Sequence, residues 1–267
     1  MDLGLERRVV LITGASKGIG EATAERLALE GADLAICARG EGALGALALR
    51  LTDSGSNCLS VIADVSTEEG VRTCVDRTIA HFGRLDVVVH NAGGATGRGL
   101  LSELSDDDWL ATYNTNVMAL VRLVRHARKF LSESDQARIV CVSSTTAAEP
   151  GSHDPHYSGA KAALLNLAKH LSNTLASDGI LVNTVAPGPV RTHAWESFVD
   201  GLADGGGTPA NDARRRFEDE MTSRIPLGSI GESRQVADVV AFLASASSAW
   251  ITGSVFRVDG GKTRGIL

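Results

Sequence analysis

"RVVLITGASKGIG", residues 8–20, passes without a break from an apolar stretch into a turn that holds three glycines. In "RVVLIT" (8–13) the apolar residues follow one another instead of alternating with polar ones, which marks a strand buried on both faces, as in a parallel sheet. Gly14 comes directly after it, and Gly18 and Gly20 open a segment of helical period. Glycine is wanted where the backbone turns tightly and where a diphosphate must approach amide hydrogens at the positive end of a helix. A tight strand-to-helix turn alone would also call for glycine, so the surrounding chain has to decide between the two readings.

Six further strand-like runs follow: "DLAICA" (33–38), "CLSVIA" (58–63), "DVVVH" (86–90), "RIVCVS" (138–143), "ILVNTV" (180–185) and "VFRV" (255–258). Between them, segments such as "GEATAERLALEG" (20–31) and "EEGVRTCVDRTIAHFG" (68–83) repeat apolar residues every three or four places and end at Gly, as capped helices do. Seven strands alternating with helices predict a doubly wound α/β fold with a parallel sheet covered on both faces. No Pro/Gly/Ser linker divides the 267 residues, so one domain is expected. The irregular region at about 193–225, with "DGGGTPAND" inside it, is expected to be a binding loop or lid, with disorder as the alternative.

Composition narrows the function. The chain is 43% hydrophobic and 22% charged with a net charge of −6, which fits a globular protein and argues against nucleic acid, since phosphate contacts need a surplus of cations on one face. The basic run Arg214, Arg215 and Arg216 is followed by Glu218, Asp219 and Glu220 and reads as a solvated helix face. Cys37, Cys58, Cys74 and Cys141 have no metal-ligand spacing and are read as buried free thiols in a reducing compartment. The charged "MDLGLERR" start lacks the apolar stretch of a signal peptide, and no segment approaches the roughly 18 apolar residues of a membrane span. A cytoplasmic enzyme or binding protein is expected, with no metal, nucleic acid or membrane partner.

After the second strand a site for NAD would place Asp or Glu against the ribose 2'-hydroxyl, but this chain has Ala38, Arg39 and Gly40. The Arg39 guanidinium can hold a 2'-phosphate through a forked contact, and Lys17 in the glycine turn can add a second cation, so NADPH/NADP is favoured over NAD. The plainer alternative is that both are surface cations. Asp64 after the third strand is placed to accept from an adenine amino group, or to cap the helix beginning near Thr67.

Tyr157 and Lys161 lie four residues apart in "HYSGAKAALLNLAKHL" (156–171), one turn apart on one helix face. Tyrosine has a pKa of about 10 and is a poor proton donor near neutrality. A nearby ammonium and the positive helix end would stabilise the phenolate and bring that pKa toward the working range. An exposed Tyr beside an unrelated Lys is the bland alternative.

Taken together, "TGASKGIG" (13–20), "NAG" (91–93), Ser144 thirteen residues before Tyr157, "YSGAK" (157–161) and "PG" (187–188) resemble the short-chain dehydrogenase/reductase family. The likeness extends to "VDGG" at 258–261 and implies a Rossmann-type three-layer sandwich with a seven-stranded parallel sheet. It also implies roles. Tyr157 would be the general acid in carbonyl reduction, or the base in alcohol oxidation, with Lys161 lowering its pKa and holding the nicotinamide ribose. Ser144 would donate a hydrogen bond to the substrate oxygen. Asn116 would support a proton-relay water; Asn114 competes for that role, and Asn116 is preferred because it precedes the apolar pair Val117 and Met118. Cofactor contacts would come from Tyr157 and Lys161 and from Gly14, Ser16, Lys17, Gly18, Ile19, Gly20, Arg39, Asp64, Val65, Asn91, Ala92, Gly93, Pro187, Gly188, Val190 and Thr192. Of these, Asn91 would close over the cofactor and Thr192 would meet the nicotinamide carboxamide.

The substrate would be a small carbonyl or alcohol compound, met by Thr145, Thr146, Ala147, Glu149, Pro189 and the loop from His193, with Trp195 and Phe198 as apolar walls. His153 and His156 flank the tyrosine and are read as loop or pocket packing. Reduction of groups on an acidic carrier protein is disfavoured, because "SESDQA" (132–137) and "KHLSNTLASDG" (169–179) offer no cluster of cations. The rival functions are an NAD-dependent alcohol or polyol dehydrogenase, opposed by Ala38 and Arg39, and a non-catalytic dinucleotide-binding regulator, opposed by the presence of Ser144, Tyr157 and Lys161. The family resemblance implies a homo-oligomer, tetramer or dimer, joined through helices around 106–131 and 156–177 and the last strand.

Overall fold

The computed structural model describes residues 3–266 apart from 194, 197, 198 and 200–209. Strand β1 (Val9–Thr13) is buried along its whole length. Its side chains alternate, as a strand's must: Val9 and Leu11 enter one apolar layer, Val10 and Ile12 the other. The same logic holds for β2 (Asp33–Ala38), β3 (Cys58–Ile62), β4 (Val87–His90), β5 (Arg138–Val142) and β6 (Leu181–Pro187). A short pair β7 (Val190–Arg191) and β8 (Gly231–Glu232) stands apart, and β9 (Val255–Val258) closes the main sheet.

The seven strands pair in parallel in the order β3-β2-β1-β4-β5-β6-β9, so all seven expected strands belong to one parallel sheet. The order reverses between β1 and β4, where Ile12 stands beside Val89. A crevice opens at such a reversal because the connections leave on opposite faces. One layer is covered by α1 (Gly18–Leu29), α2 (Glu41–Asp53) and α8 (Ser233–Ala244), through Leu27, Leu44, Leu47 and Val240. The other is covered by α3 (Glu68–Phe82), α5 (Ala119–Leu131) and α6 (Pro155–Thr174), through Val75, Leu123 and Leu164. Between α4 (Asp106–Tyr113) and α5 the chain makes a π-helical turn, Asn114–Met118.

Three expectations change. Within the 193–225 region, α7 (Ala210–Ser223) is a helix. Its charged run forms rungs, Arg214 with Glu218 one turn on, and Glu218 also takes both guanidinium nitrogens of Arg191 at 3.0 Å. Cys58 is half-buried near the sheet edge, whereas Cys37, Cys74 and Cys141 are buried; all four are free. The cap of α3 is Thr67, which accepts from the Gly70 amide at 3.0 Å, so Asp64 is not that cap. Among the described residues no helix is long and apolar enough to cross a membrane.

Two glycines allow a clean contrast. A Cβ on Gly20 would stand 2.3 Å from the Gly14 carbonyl oxygen and 2.5 Å from Asn91 Nδ2, whereas one on Gly45 inside α2 would meet nothing within 4 Å. Gly20→Ala should therefore destabilise the fold by roughly 1–3 kcal/mol through overpacking. Gly45→Ala should stabilise it by about 0.5–1 kcal/mol through helix propensity. Urea unfolding midpoints of the two variants should move in opposite directions.

Candidate active site

Every strand delivers its following loop to the same edge of the sheet, which brings residues far apart in sequence into one crevice. A pocket of about 470 Å³ there is lined by Gly14, Ser16 and Lys17 from the glycine turn, Arg39 after β2, Asp64 and Val65 after β3, and Ala92 and Gly93 after β4. Cys37, Ala38, Gly40, Ala43, Ala63 and Thr115 line it too. Of these last, Cys37, Ala43, Ala63 and Thr115 carried no functional expectation. Ala63 continues the apolar run into the pocket rim, and Thr115 arrives on the π turn; register and topology place them, not a motif.

Asn91 bridges the switch point. Its Nδ2 donates to the Thr13 carbonyl at 3.1 Å and the Gly14 carbonyl at 3.0 Å, and its amide and that of Ala92 donate to Thr13 Oγ1. Its side chain thus braces the glycine turn. Ile19 packs on the apolar layer beneath the turn and Val190 is buried in that layer. Pro187 ends β6, and Gly188 is required because a Cβ there would lie 2.7 Å from the Cβ of Asp259 in "VDGG". Gly18, at φ 59°, sits against Thr192, whose Cβ would be 3.3 Å from a Cβ at that position. Lys17 has Nζ 3.4 Å from His193 Nε2, so it links the turn to the chain after β7 as well as lining the pocket with Arg39.

Behind Gly93 of that pocket lie Asn116 and Lys161, on the side from which Ser144 and Tyr157 are expected to carry chemistry. Ser144 follows β5, and its Oγ accepts from the Thr146 amide at 3.2 Å and from Thr146 Oγ1 at 3.0 Å. Tyr157 is the third residue of α6, and Ser144 lies near enough to its hydroxyl to favour the phenolate. Lys161 lies one turn further, buried, with Nζ donating to the Val142 carbonyl at 3.0 Å and standing 5.6 Å from the centre of the Tyr157 ring. A Cβ on Gly93 would lie 2.6 Å from Asn116 Oδ1 and 2.8 Å from Lys161 Nζ, so glycine leaves both polar groups room at the pocket wall.

The electrostatics differ from expectation. Burial raises the Tyr157 hydroxyl above its ordinary value, outweighing the Ser144 hydrogen bond and the nearby Arg98 charge, which favour the phenolate. Burial also lowers the Lys161 ammonium to about 8. Burial thus favours the protonated tyrosine, the form an acid requires.

Asn116, not Asn114, is the buried one. Its Nδ2 donates to the Gly94 carbonyl at 2.7 Å and the Thr112 carbonyl at 2.8 Å, and its Oδ1 accepts from the Gly94 amide at 3.2 Å. Asn114 faces Arg122 instead. The Asn116 carbonyl accepts from His90 Nε2 at 2.9 Å, a partner that no motif pointed to. Of the residues expected around a substrate, Thr145 is buried, Trp195 packs against Phe217 of α7 with ring centres 5.5 Å apart, and Glu149 accepts from the Arg264 amide. His156 is buried with Nε2 bonded to the Thr96 carbonyl at 2.8 Å, and Phe198 lies outside the described residues.

Residues 14–263 match the model of a family described as enoyl-(acyl carrier protein) reductase. The chain is 38% identical over 256 residues to cis-4-hydroxycyclohexanecarboxylate dehydrogenase of Sinomonas cyclohexanicum, with 96% of each chain covered. It is 31% identical over 259 residues to the 3-oxoacyl-(acyl-carrier-protein) reductase FabG of Escherichia coli, covering 97% of this chain and 98% of that one. The structure of L-sorbose reductase from Gluconobacter frateurii, complexed with NADPH and L-sorbose, superposes with a TM-score of 0.94 at 31% identity over 100% of both chains.

The buried imidazole makes stability depend on pH. His90 is lowered to about 4 by burial, with the Lys161 charge adding to the effect, so the folded state keeps it neutral where the unfolded chain takes a proton. Its contribution is lost as pH falls from about 6.5 through about 4, on the order of 2 kcal/mol between about pH 7.5 and about pH 5. Urea titrations should show that loss in the wild type and a flatter dependence in His90→Asn.

Proposed function

The chain belongs to the short-chain dehydrogenase/reductase family, and we propose that it reduces a small ketone to a secondary alcohol with NADPH. That it is an NAD(P)-dependent oxidoreductase follows from the family; the direction, the cofactor and the substrate class are the present reading. The observation that carries it is the meeting of Ser144, Tyr157 and Lys161 beside a glycine-walled pocket whose far rim is Arg39. The L-sorbose reductase bound to NADPH supports the same cofactor.

The residues fit that cofactor. Gly14, Ser16 and Lys17 offer amides and a cation at the start of α1 for a diphosphate, Arg39 can grip a 2'-phosphate, and Asp64 and Val65 border the adenine side. Gly93 leaves open the approach to Asn116 and Lys161. When bound, NADPH supplies the hydride. Ser144 donates to the substrate oxygen as negative charge grows there, and Tyr157, kept protonated by its burial, gives that oxygen its proton. Lys161 presents a cation beside the tyrosine ring once the phenolate forms. Asn116 holds the loop after β4 at a fixed distance from both.

We read the chain as a single Rossmann domain, 1–267, with a substrate-binding loop or lid at about 193–225, of which 194, 197, 198 and 200–209 lie outside the described residues; the Arg191–Glu218 bonds that moor α7 support this. A carrier-bound substrate is disfavoured on charge: two of the four Arg and Lys residues on α5 are paired within the chain, Arg122 with Glu68 and Arg128 with Asp178, which reduces the attraction for an acidic carrier. Homo-oligomerisation, as a tetramer or dimer, is supported by exposed Leu110 on α4, Trp250, and Val255 on the edge strand β9. Four free thiols accord with a cytoplasmic setting.

The test is a titration with NADPH and NADH, followed by nicotinamide fluorescence, on wild type and Arg39→Ala. NADPH should bind at least about tenfold tighter, and the substitution should remove about 1.4 kcal/mol or more of that preference. Tyr157→Phe should lower kcat for ketone reduction by roughly a hundredfold to ten-thousandfold with NADPH affinity kept. Equal or tighter binding of NADH would reject the 2'-phosphate reading and point to an NAD-dependent alcohol or polyol dehydrogenase. Full activity in Tyr157→Phe would reject the assigned acid.

A further inference from the structure

Three residues before the tyrosine the backbone does something unusual. Asp154 precedes α6 with φ 56° and ψ 52°, the left-handed region that a side chain enters only when its surroundings hold it there. Its carboxylate does not cap the helix. Instead Oδ1 accepts from the Gly99 amide at 3.0 Å and Oδ2 from Arg98 Nη1 at 3.1 Å, while the Asp154 amide donates to the Gly99 carbonyl at 2.9 Å. The Asp154 carbonyl accepts from the amides of Tyr157 and Ser158 at 3.1 and 3.2 Å, which begins the helix. One residue therefore joins the loop after β4 to the first turn of the helix that carries the acid.

That loop is held elsewhere as well. Gly94 is clamped by Asn116, the Thr96 amide donates to Thr112 Oγ1 at 3.0 Å, and the Thr96 carbonyl takes His156 Nε2. A loop fixed at so many points is a rigid reference, and Asp154 is where the start of α6 is measured against it.

We propose that Asp154 is a positioning residue for the acid: its bonds to Gly99 and Arg98 fix where α6 begins and so where the Tyr157 hydroxyl stands relative to Ser144. This rests on the reading of Tyr157 as the proton donor. The groups that face Tyr157 are Ser144 from the end of β5, Arg98 from the loop, Asp154 at the helix start and Lys161 one turn on; His90 and Cys141 face Lys161 from β4 and β5. Arg98 favours the phenolate and Asp154 opposes it, so the pair also balances charge at the hydroxyl.

Two substitutions separate the parts. Asp154→Gly adopts the same backbone without strain but removes both side-chain bonds. Asp154→Asn keeps an acceptor for Gly99 and tolerates the left-handed region, but removes the charge. The chain has two tyrosines, so in a Tyr113→Phe background ultraviolet difference absorbance of the phenolate reports Tyr157 alone. In that background Asp154→Asn should bring the phenolate in at lower pH, Arg98→Gln at higher pH, and the double substitution should return toward the parent. Asp154→Gly should lower kcat for ketone reduction by about tenfold to a hundredfold, with NADPH affinity unchanged, and Asp154→Asn should recover most of the loss. An Asp154→Gly variant that binds NADPH and keeps the parental kcat would overturn the proposal. So would a Tyr157 titration that neither charge substitution moves. If the wild type reduces no ketone, the functional reading fails, while the phenolate titration still decides this one.

Discussion

The side chain of Asn91, donating to the carbonyls of Thr13 and Gly14, ties the loop after β4 to the glycine turn at the point where the strand order of the sheet reverses. Because β1 and β4 are neighbours, a residue just past β4 can reach back to the turn after β1, and the two loops that bound the crevice become one surface. This close approach is also why Gly20 admits no side chain: the room a Cβ would need is filled by Asn91 Nδ2 and the Gly14 carbonyl. The glycines of the turn thus answer to the protein's own packing before they answer to a diphosphate. Both demands favour the same residue, which makes the motif robust as a sign of fold and weaker as a sign of ligand.

Behind that surface, the chemistry depends on burial. Tyr157 and Lys161 are both shifted toward their neutral forms by loss of water, the tyrosine upward and the lysine to about 8. What holds them in register is a set of hydrogen bonds: Lys161 to the Val142 carbonyl, Ser143 Oγ to the Lys161 carbonyl at 3.1 Å, and Asn116 to both sides of Gly94. The π turn at Asn114–Met118 shifts the backbone bonding of this region, and the Asn116 carbonyl receives the buried His90. A neutral imidazole in that place adds no second charge beside the ammonium.

Much of this was legible in the order of residues. Short continuous apolar runs set between segments of helical period read as covered strands, so the seven strands, their parallel arrangement and the crevice at their carboxyl edge followed from β1 and its six successors, although β3 and β9 at the two sheet edges are partly exposed. Tyr157 and Lys161 fell on one helix face because a period of 3.6 leaves no other outcome for residues four apart. The run at 214–220 read as a solvated helix face, and α7 bears its charges in that way. The extent of that helix was not legible, because the glycines at 205–207 just before it carry the local signal of a loop.

What the sequence by itself determined was periodicity and the chemistry of each side chain: which segments are strands, which residues can donate a proton, and which cations can meet a phosphate. Tertiary structure decided the pairings between them. That Asn91 braces the glycine turn, that His90 serves the Asn116 carbonyl, and that Asp154 bonds across to Gly99 all depend on atoms 26 to 78 residues apart meeting within a hydrogen bond's length. No local pattern encodes such meetings, since they depend on how strand order and helix packing bring separate loops to one edge. For the same reason the direction of the tyrosine's shift was out of reach: a neighbour four residues away is visible in the chain, but the exclusion of water is a property of the assembled fold.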